Sequence, residues 1–76
     1  MTASKESEVL IFCTAINDAD DLPVVDRVLQ QFNGVISWSV DLEDWEKVLR
    51  VVCLETEPEE IVIALSNHGV FAREML

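Results

Sequence analysis

The apolar residues of the chain fall into short blocks whose spacing alternates between that of a strand and that of a helix. Residues 9–16 form a continuous apolar run with β-branched and aromatic members, too short for an ordinary helix, which predicts a central strand. After an acidic turn, apolar residues recur at helical spacing, at Leu22, Val25, Leu29 and Phe32. A helix is therefore predicted after the first strand, with Asp21 as its N-cap and Gly34 following its end.

The second half of the chain repeats this alternation. Residues 35–42 alternate apolar and polar side chains, which predicts a half-buried strand whose apolar members are Ile36, Trp38, Val40 and Leu42. Residues 47–55 are again strand-like, and their close connection to the previous strand predicts an antiparallel hairpin. Thr56 opens a Thr-x-x-Glu capping box before a second helix that ends at Gly69, and residues 70–76 suffice for a last short strand.

The element order β-α-β-β-α-β predicts a ferredoxin-like α+β sandwich. Right-handed crossovers place the first and third strands at the centre of a four-stranded antiparallel sheet of order 4-1-3-2, with both helices on one face. Residues 9–76 are expected to form this single domain, and the polar residues 1–8 are expected to form a flexible N-terminus.

Composition and charge narrow the functions that this domain can serve. Half of the 76 residues are hydrophobic, which provides a core, whereas 15 acidic and 5 basic residues leave a formal net charge of −10. Binding to a phosphate backbone or an anionic membrane surface requires clustered cations, so neither nucleic acid nor membrane is an expected partner. The sequence shows no apolar run of the length of a membrane span or a signal peptide, so we expect a cytoplasmic protein.

Enzymes that share this sandwich fold need side chains that the sequence lacks. An acylphosphatase-like site requires an arginine-bearing anion cradle after the first strand, where this chain has aspartates. An RNA-recognition sheet requires aromatic and basic residues on its open face, and a single histidine, His68, does not define a catalytic triad. We therefore expect no catalytic activity.

Four segments carry a resemblance to a known family. They are Phe-Cys-Thr-Ala-Ile-Asn at residues 12–17, Asn-Gly-Val-Ile-Ser-Trp-Ser-Val-Asp-Leu at residues 33–42, Glu-Lys-Val-Leu at residues 46–49, and residues 61–69. With these segments the sequence resembles the heavy-metal-associated (HMA) family, which includes small copper chaperones and the N-terminal modules of metal-pumping ATPases. The resemblance extends over residues 9–76 and implies the same ferredoxin-like fold.

The sequence departs from this family at the metal-binding loop. HMA domains hold soft metals with a Cys-x-x-Cys pair between the first strand and the first helix, and the matching positions here are Asp18 and Asp21. Carboxylates are hard ligands that do not replace thiolates toward copper(I), so soft-metal delivery is not expected. The aspartates are then expected either to cap the first helix or to form, with Asp20, a weak site for a hard divalent cation.

His68 extends the metal-binding alternative. The resemblance implies that the end of the second helix lies near the metal loop, so His68 can add a nitrogen and complete a zinc-like set with Asp18 and Asp21. The other interpretation is that this histidine ends the helix, where a partial positive charge is favourable. Apart from such a weakly bound divalent cation, no cofactor is expected.

Alternation places the two cysteines on opposite faces of the sheet. If Phe12 faces the helices, as the family pattern implies, Cys13 faces away from them, whereas Cys53 in the third strand faces inward. Side chains on opposite faces of a sheet cannot form a disulfide, so both thiols are expected to be reduced.

The side of the sheet away from the helices is expected to be unusually apolar. Its predicted residues are Val9, Ile11, Cys13 and Ala15 from the first strand and Val48, Val52 and Leu54 from the third. Such a patch favours a protein interface, either a sheet-to-sheet homodimer or a contact with another protein. The other interpretation is tolerated, scattered exposure, with the N-terminal segment or the aliphatic stem of Arg50 covering the patch. Trp45, in the acidic hairpin, is expected either to anchor an interface or to pack on its own hairpin.

These observations predict a non-catalytic, HMA-like binding or assembly module that has lost thiolate ligation of soft metals and acts through protein–protein contacts. The alternative is a metal-binding protein, for a hard cation or zinc, that uses Asp18 and Asp21 with a contribution from His68. The two hypotheses differ in whether the sheet face or the acidic loop is the functional surface.

Overall fold

Strands and helices alternate along the chain in the predicted order. Within residues 6–17 and 19–75, which the computed structural model describes, there are four strands and two α-helices. The strands are β1 (Glu8–Thr14), β2 (Val35–Asp41), β3 (Val48–Cys53) and β4 (Ala72–Glu74), and the helices are α1 (Leu22–Leu29) and α2 (Pro58–Asn67). A short 3₁₀ turn, Ala19–Asp21, leads into α1.

The sheet is antiparallel throughout, with the strand order β2-β3-β1-β4. This is the predicted order 4-1-3-2 read from the other edge, and both helices contribute to a core on the same face of the sheet. The predicted ferredoxin-like sandwich is therefore confirmed. Within the described part of the chain, neither helix is long and apolar enough to cross a membrane.

The core lies between the helices and the inward side of the sheet, because alternate strand residues point there. Its central strand residues, all fully buried, are Phe12, Leu49, Val51 and Cys53. The helix residues that meet them are Val25, Val28 and Leu29 from α1 and Ile61 and Leu65 from α2. Ile16 and Val70, from the loops that follow β1 and α2, complete the same cluster.

A β-bulge at the start of β2 changes which of its side chains face the core. Val35 pairs with Cys53 and Ser37 pairs with Val52, so Ile36 is the extra residue between the two pairs. Val35 packs against the core, whereas Ile36 is 58% exposed. The inward position predicted for Ile36 is therefore wrong. The other apolar residues of the predicted alternation contact the core as expected, namely Trp38, Val40 and Leu42.

Neither helix is capped by the side chain that the sequence suggests. Asp21 precedes α1, but its carboxylate accepts a hydrogen bond from the Asn17 amide at 3.0 Å and caps no helical amide. Glu57, rather than Thr56, occupies the cap position of α2, and the Thr56 hydroxyl donates to the Leu54 carbonyl oxygen at 3.0 Å. The predicted capping box does not form, because α2 begins one residue later than the box requires.

The ends of the chain differ from the predicted boundaries. Residues 1–5 of the predicted flexible N-terminus lie outside the described residues, but Glu8 already belongs to β1. The last strand is shorter than the predicted segment 70–76, of which residue 76 also lies outside the described residues. The amide of Val70 donates to the Leu65 carbonyl oxygen at 2.9 Å and so completes the end of α2 instead of starting β4.

Candidate functional site

Three loops lie close together at the end of β1, where the metal-binding loop of an HMA domain would lie. They are the loop that follows β1, the loop between β2 and β3, and the loop between α2 and β4. The amide of Thr14 donates to the Glu46 carbonyl oxygen at 3.0 Å, and the next amide, that of Ala15, donates to the Phe71 carbonyl oxygen, also at 3.0 Å. The Thr14 hydroxyl reinforces the first contact by donating to the Lys47 carbonyl oxygen at 2.7 Å. We refer to this part of the molecule as the loop end; it consists of residues 15–17, 19–21, 42–47 and 68–71.

Two of the three predicted metal ligands lie at the loop end, and the third, Asp18, is outside the described residues. Asp21 is half-buried and accepts the Asn17 amide. His68 is exposed, and its backbone amide donates to the Leu65 carbonyl oxygen at 3.0 Å where α2 ends. Among the described residues, no group of three or more His, Cys, Asp or Glu side chains is placed to hold a metal ion. A divalent cation bound through Asp18 stays a prediction.

The two cysteines of the chain lie on opposite faces of the sheet, as predicted. Cys53 is fully buried in the core, together with Phe12, whereas the next residue of β1, Cys13, is half-buried on the other side. Both thiols are free. Because the sheet separates them, these thiols can neither form a disulfide nor ligate one ion together.

The side of the sheet away from the helices, which we name the open face, is built from three rows of cross-strand neighbours. The first row is Ser37, Val52 and Val9, the second is Ser39, Arg50 and Ile11, and the third is Asp41 and Val48 with Cys13 and Arg73. Met75 extends the second row, since its amide donates to the Ile11 carbonyl oxygen at 2.7 Å. The polar residues of β2 therefore line one side of the face, and apolar residues of β1 and β3 lie at its centre.

The predicted interface residues lie on or beside the open face but differ in exposure. Val9 is 56% exposed and Val48 is 7% exposed, and the half-buried members are Ile11, Cys13, Val52 and Leu54. Val48 thus adds little to the surface. Sequence reasoning missed Arg73 and Met75, because the register of β4 against β1 is not contained in the local pattern. Arg50, whose aliphatic stem was expected only as a possible cover for the apolar patch, is exposed in the middle of the face.

Cys13, Glu46 and Arg73 form a small polar cluster on the open face. The Cys13 thiol donates to Glu46 Oε2 at 3.5 Å, and Arg73 Nη2 donates to the Cys13 sulfur at 3.7 Å. The bond to the sulfur raises the pKa of the Arg73 guanidinium above its ordinary value, so this group stays charged. Among the described residues, the open face carries Arg50, Arg73 and Asp41, and Glu46 reaches it from the loop end through its contact with Cys13, so that two arginines and two carboxylates balance.

Trp45 and Phe71 are the most exposed large apolar residues in the described part of the chain. Trp45 is 93% exposed, so its ring does not pack on its own hairpin, and Phe71 is 71% exposed. Both belong to the loop end, on either side of β1. The exposure of Phe71 was not predicted, because the sequence pattern places this residue in the last strand.

The buried thiol gives a pH-dependent prediction. Burial raises the pKa of Cys53 above its ordinary value of 9.0. The folded state then holds this proton more tightly than the unfolded chain, so the associated stability is complete below about pH 9 and is lost as the pH rises through the folded pKa. We expect Cys53→Ala to make the unfolding free energy fall less steeply above about pH 9, measured by urea denaturation. Equal slopes for the Cys53→Ala variant and the unchanged protein contradict the prediction.

Comparisons with known proteins identify the fold. No protein-family model and no curated protein sequence matches the chain. Among solved structures, the chain is similar to the putative copper-ion-binding protein from Bacillus anthracis str. Ames, with 18% identity, coverage of 92% of this chain and 100% of the other, and a TM-score of 0.76. The N-terminal domain of PacS from Synechocystis PCC6803 is 20% identical, with 91% and 98% coverage and a TM-score of 0.73.

A third similar structure is the apo form of the HMA domain of the copper chaperone for superoxide dismutase. It is 19% identical, its alignment covers 100% of this chain and 76% of the other, and the TM-score is 0.73. At these identities the similarity establishes the fold. The chain therefore has the ferredoxin-like fold of HMA domains, in agreement with the resemblance of its sequence.

Proposed function

We propose that this chain is a non-catalytic assembly module, in which the HMA fold has exchanged its soft-metal thiolates for carboxylates and pairs with a second copy through the open face. The observation that carries the proposal is the composition of that face, which has an apolar centre and balanced charges. The loop that resembles a metal site is then a structural connection, and the sheet is the functional surface.

The positions of the cysteines support the loss of soft-metal binding. A thiolate pair needs two sulfur atoms on the same side of the backbone, but Cys13 and Cys53 are separated by the sheet. In the loop after β1, the positions that resemble the family's cysteines are Asp18 and Asp21, whose carboxylates are hard ligands. This loop therefore offers oxygen atoms, which copper(I) does not favour.

The apolar centre of the open face supports a protein contact. Antiparallel sheets that carry helices on one side commonly turn a polar face to water. Here Val9 pairs with Val52, and Ile11 lies between Arg50 and Met75. An apolar centre bounded by arginines and carboxylates has the composition expected of a protein interface.

The charge balance of the open face favours a second copy as the partner. A chain with a net charge of −10 repels a second copy on average, but the open face has no net formal charge. When two copies pack face to face about a two-fold axis, Arg50 and Arg73 of one copy can lie opposite Asp41 and Glu46 of the other. The open face is thus a surface on which two copies can approach with little electrostatic repulsion.

Val9→Glu is expected to abolish this dimer. The substitution places a carboxylate next to Val52 inside the proposed interface, and a buried charge without a partner is strongly unfavourable. The dissociation constant of the dimer should rise by at least about a hundred-fold. Sedimentation equilibrium over a series of protein concentrations measures this constant. Because Val9 is 56% exposed in a single copy, the substitution leaves the core intact.

Ile63→Glu is the matched control for this experiment. Ile63 is 59% exposed on α2, in the layer on the other side of the sheet. The control adds the same charge at a similarly exposed position on the helix side of the sheet, and this variant should dimerise like the unchanged protein. A dimer that survives Val9→Glu, or that both variants weaken equally, contradicts the proposal.

A further inference from the structure

The edge of the sheet formed by β2 is accessible to another strand. In the described part of the chain, β2 has β3 as its one strand neighbour. Its seven residues, Val35–Asp41, include no lysine, arginine or proline, the residues that commonly block exposed edges. The opposite edge, β4, is three residues long and carries Arg73 and Glu74. Within residues 6–17 and 19–75, the fold therefore protects the β4 edge of the sheet and leaves the β2 edge without a second strand neighbour.

The β-bulge does not close this edge. It displaces Ile36 at the start of the strand, but from Ser37 to Asp41 the pairing of β2 with β3 is regular. Five consecutive residues are therefore held in extended conformation with one side of the backbone turned away from the sheet. In such an edge strand, alternate amide and carbonyl groups have no neighbour strand to pair with.

A groove of about 580 Å³ runs beside this edge, between β2 and α1. Its walls include the half-buried rings of Phe32 and Trp38 and the exposed side chain of Ile36. Asp26 lies at its rim, where the Gln30 side-chain amide donates to Asp26 Oδ2 at 2.7 Å. No lysine or arginine is among the described residues that line the groove. The edge strand is thus accompanied by a groove of mixed polar and apolar lining, which carries one carboxylate and no cation among the described residues.

We propose that β2 and this groove bind an extended, lysine- or arginine-bearing segment of another protein by β-strand addition. In this binding mode, main-chain hydrogen bonds to the edge strand provide affinity, and pockets for alternate side chains provide specificity. An apolar side chain of the segment enters the groove between Phe32 and Trp38. A basic side chain farther along the segment pairs with Asp26 or Asp41.

The charges of this edge favour a basic segment over the other candidates. Asp26 and Asp41 flank the edge, and the chain carries −10 overall, which attracts a cationic partner and repels a nucleic acid backbone. A second copy would bring its own Asp26 and Asp41 to the same edge without a lysine or arginine from β2 to balance them. This binding goes beyond the proposed dimer and does not rest on it, because its main-chain contacts use the outer edge of β2 and its groove lies between β2 and α1, although Asp41 also belongs to the open face.

The first test uses a defined peptide, acetyl-Lys-Val-Lys-Ile-Lys-Val-Lys-amide, titrated into the ¹⁵N-labelled protein. We expect the largest amide shift changes in β2 and α1, with saturation at sub-millimolar peptide. A peptide with the same side chains but methylated at every backbone nitrogen cannot donate main-chain hydrogen bonds. It should bind at least about ten-fold more weakly. Equal binding of both peptides, absence of binding, or shifts centred on another surface overturns the proposal.

The second test compares two variants of the protein. Ile36→Lys places a cation in the groove and should weaken binding of the lysine-bearing peptide by at least about ten-fold. Ile63→Lys is the control, since Ile63 is 59% exposed and Ile36 is 58% exposed, but Ile63 does not line the groove. It should leave the affinity unchanged. An equal loss in both variants would show a general effect of charge and contradict strand addition.

The dimer variant separates this proposal from the proposed function. Val9 lies on the open face and does not line the groove, so Val9→Glu protein should bind the peptide as the unchanged protein does. If Val9→Glu remains dimeric but the peptide binds at β2, the proposed function fails and strand addition stands. If Val9→Glu is monomeric and the peptide does not bind, strand addition fails alone.

Discussion

Phe12→Ala is expected to remove much of the stability of the fold, about 3–5 kcal/mol of the unfolding free energy. Phe12 is fully buried in β1, the strand that lies between β3 and β4. Its ring belongs to the cluster that joins the sheet to both helices, so truncation leaves a cavity at the centre of the molecule. A domain of this length has a total stability of roughly 4–11 kcal/mol, so a large fraction of the variant should unfold near physiological temperature.

Phe71→Ala provides the matched control, because it makes the same substitution at a ring that is 71% exposed. Its effect should stay within about 0.5 kcal/mol. Urea denaturation measures the change in unfolding free energy of each variant relative to the unchanged protein. All samples are kept at one protein concentration, because dissociation of a dimer contributes to the apparent stability. Similar losses for Phe12→Ala and Phe71→Ala would mean that the core is not where the structure places it.

Gly34→Ala is expected to destabilise the fold by about 3 kcal/mol, through steric conflict instead of a cavity. A β-carbon at this position would overlap the carbonyl oxygen of Leu54 and approach the hydroxyl of Thr56. The Leu54 amide also donates to the Gly34 carbonyl oxygen at 2.8 Å, so the two segments cannot separate without breaking this bond. The added methyl group therefore forces the start of β2 away from the end of β3.

Gly69→Ala is the control for Gly34→Ala. Gly69 has a φ of +85° at the end of α2, and a β-carbon there meets no atom within 4 Å. The penalty is then limited to the left-handed backbone conformation, about 1–2 kcal/mol. Thermal unfolding followed by circular dichroism should rank Gly34→Ala below Gly69→Ala in stability. The reverse order would contradict the close approach of Gly34 to Leu54.

The element order and the faces of the sheet could be predicted from the sequence because a strand has a period of two. Once Phe12 is assigned to the core, this period places Cys13 on the open face and Ile11 with it. The same argument assigns Leu49, Val51 and Cys53 to the core, where all three are fully buried. Right-handed crossovers then determine which strands are central.

Other features depend on backbone geometry that no periodicity contains. The β-bulge exposes Ile36, although the alternation of apolar residues through Trp38 places it on the buried side. Asp21 has a side chain suited to capping, but the 3₁₀ turn before α1 directs its carboxylate to the Asn17 amide. At both positions the local backbone conformation determines where the side chain points. The same residue types are compatible with several backbone conformations, so the sequence pattern alone does not determine this direction.

For the candidate surfaces too, some features follow from the periodicity of the sequence and others do not. The sequence placed Val9, Ile11 and Val52 on one face, and the pairing of β1 with β3 brings them together. It did not place Arg73 beside Cys13, because that contact depends on the register between strands 60 residues apart. The charge balance of the open face, on which the proposed dimer depends, could therefore not be derived from the sequence.

The central claim is that the open face, and not a metal, joins two copies of this chain. Sedimentation equilibrium of the unchanged protein tests it directly, first with a chelator present and then after addition of one equivalent of copper(I) under reducing conditions or of zinc(II). We expect the same concentration-dependent monomer–dimer equilibrium in every case. A protein that stays monomeric at all concentrations, or that dimerises only after the metal is added, would contradict it.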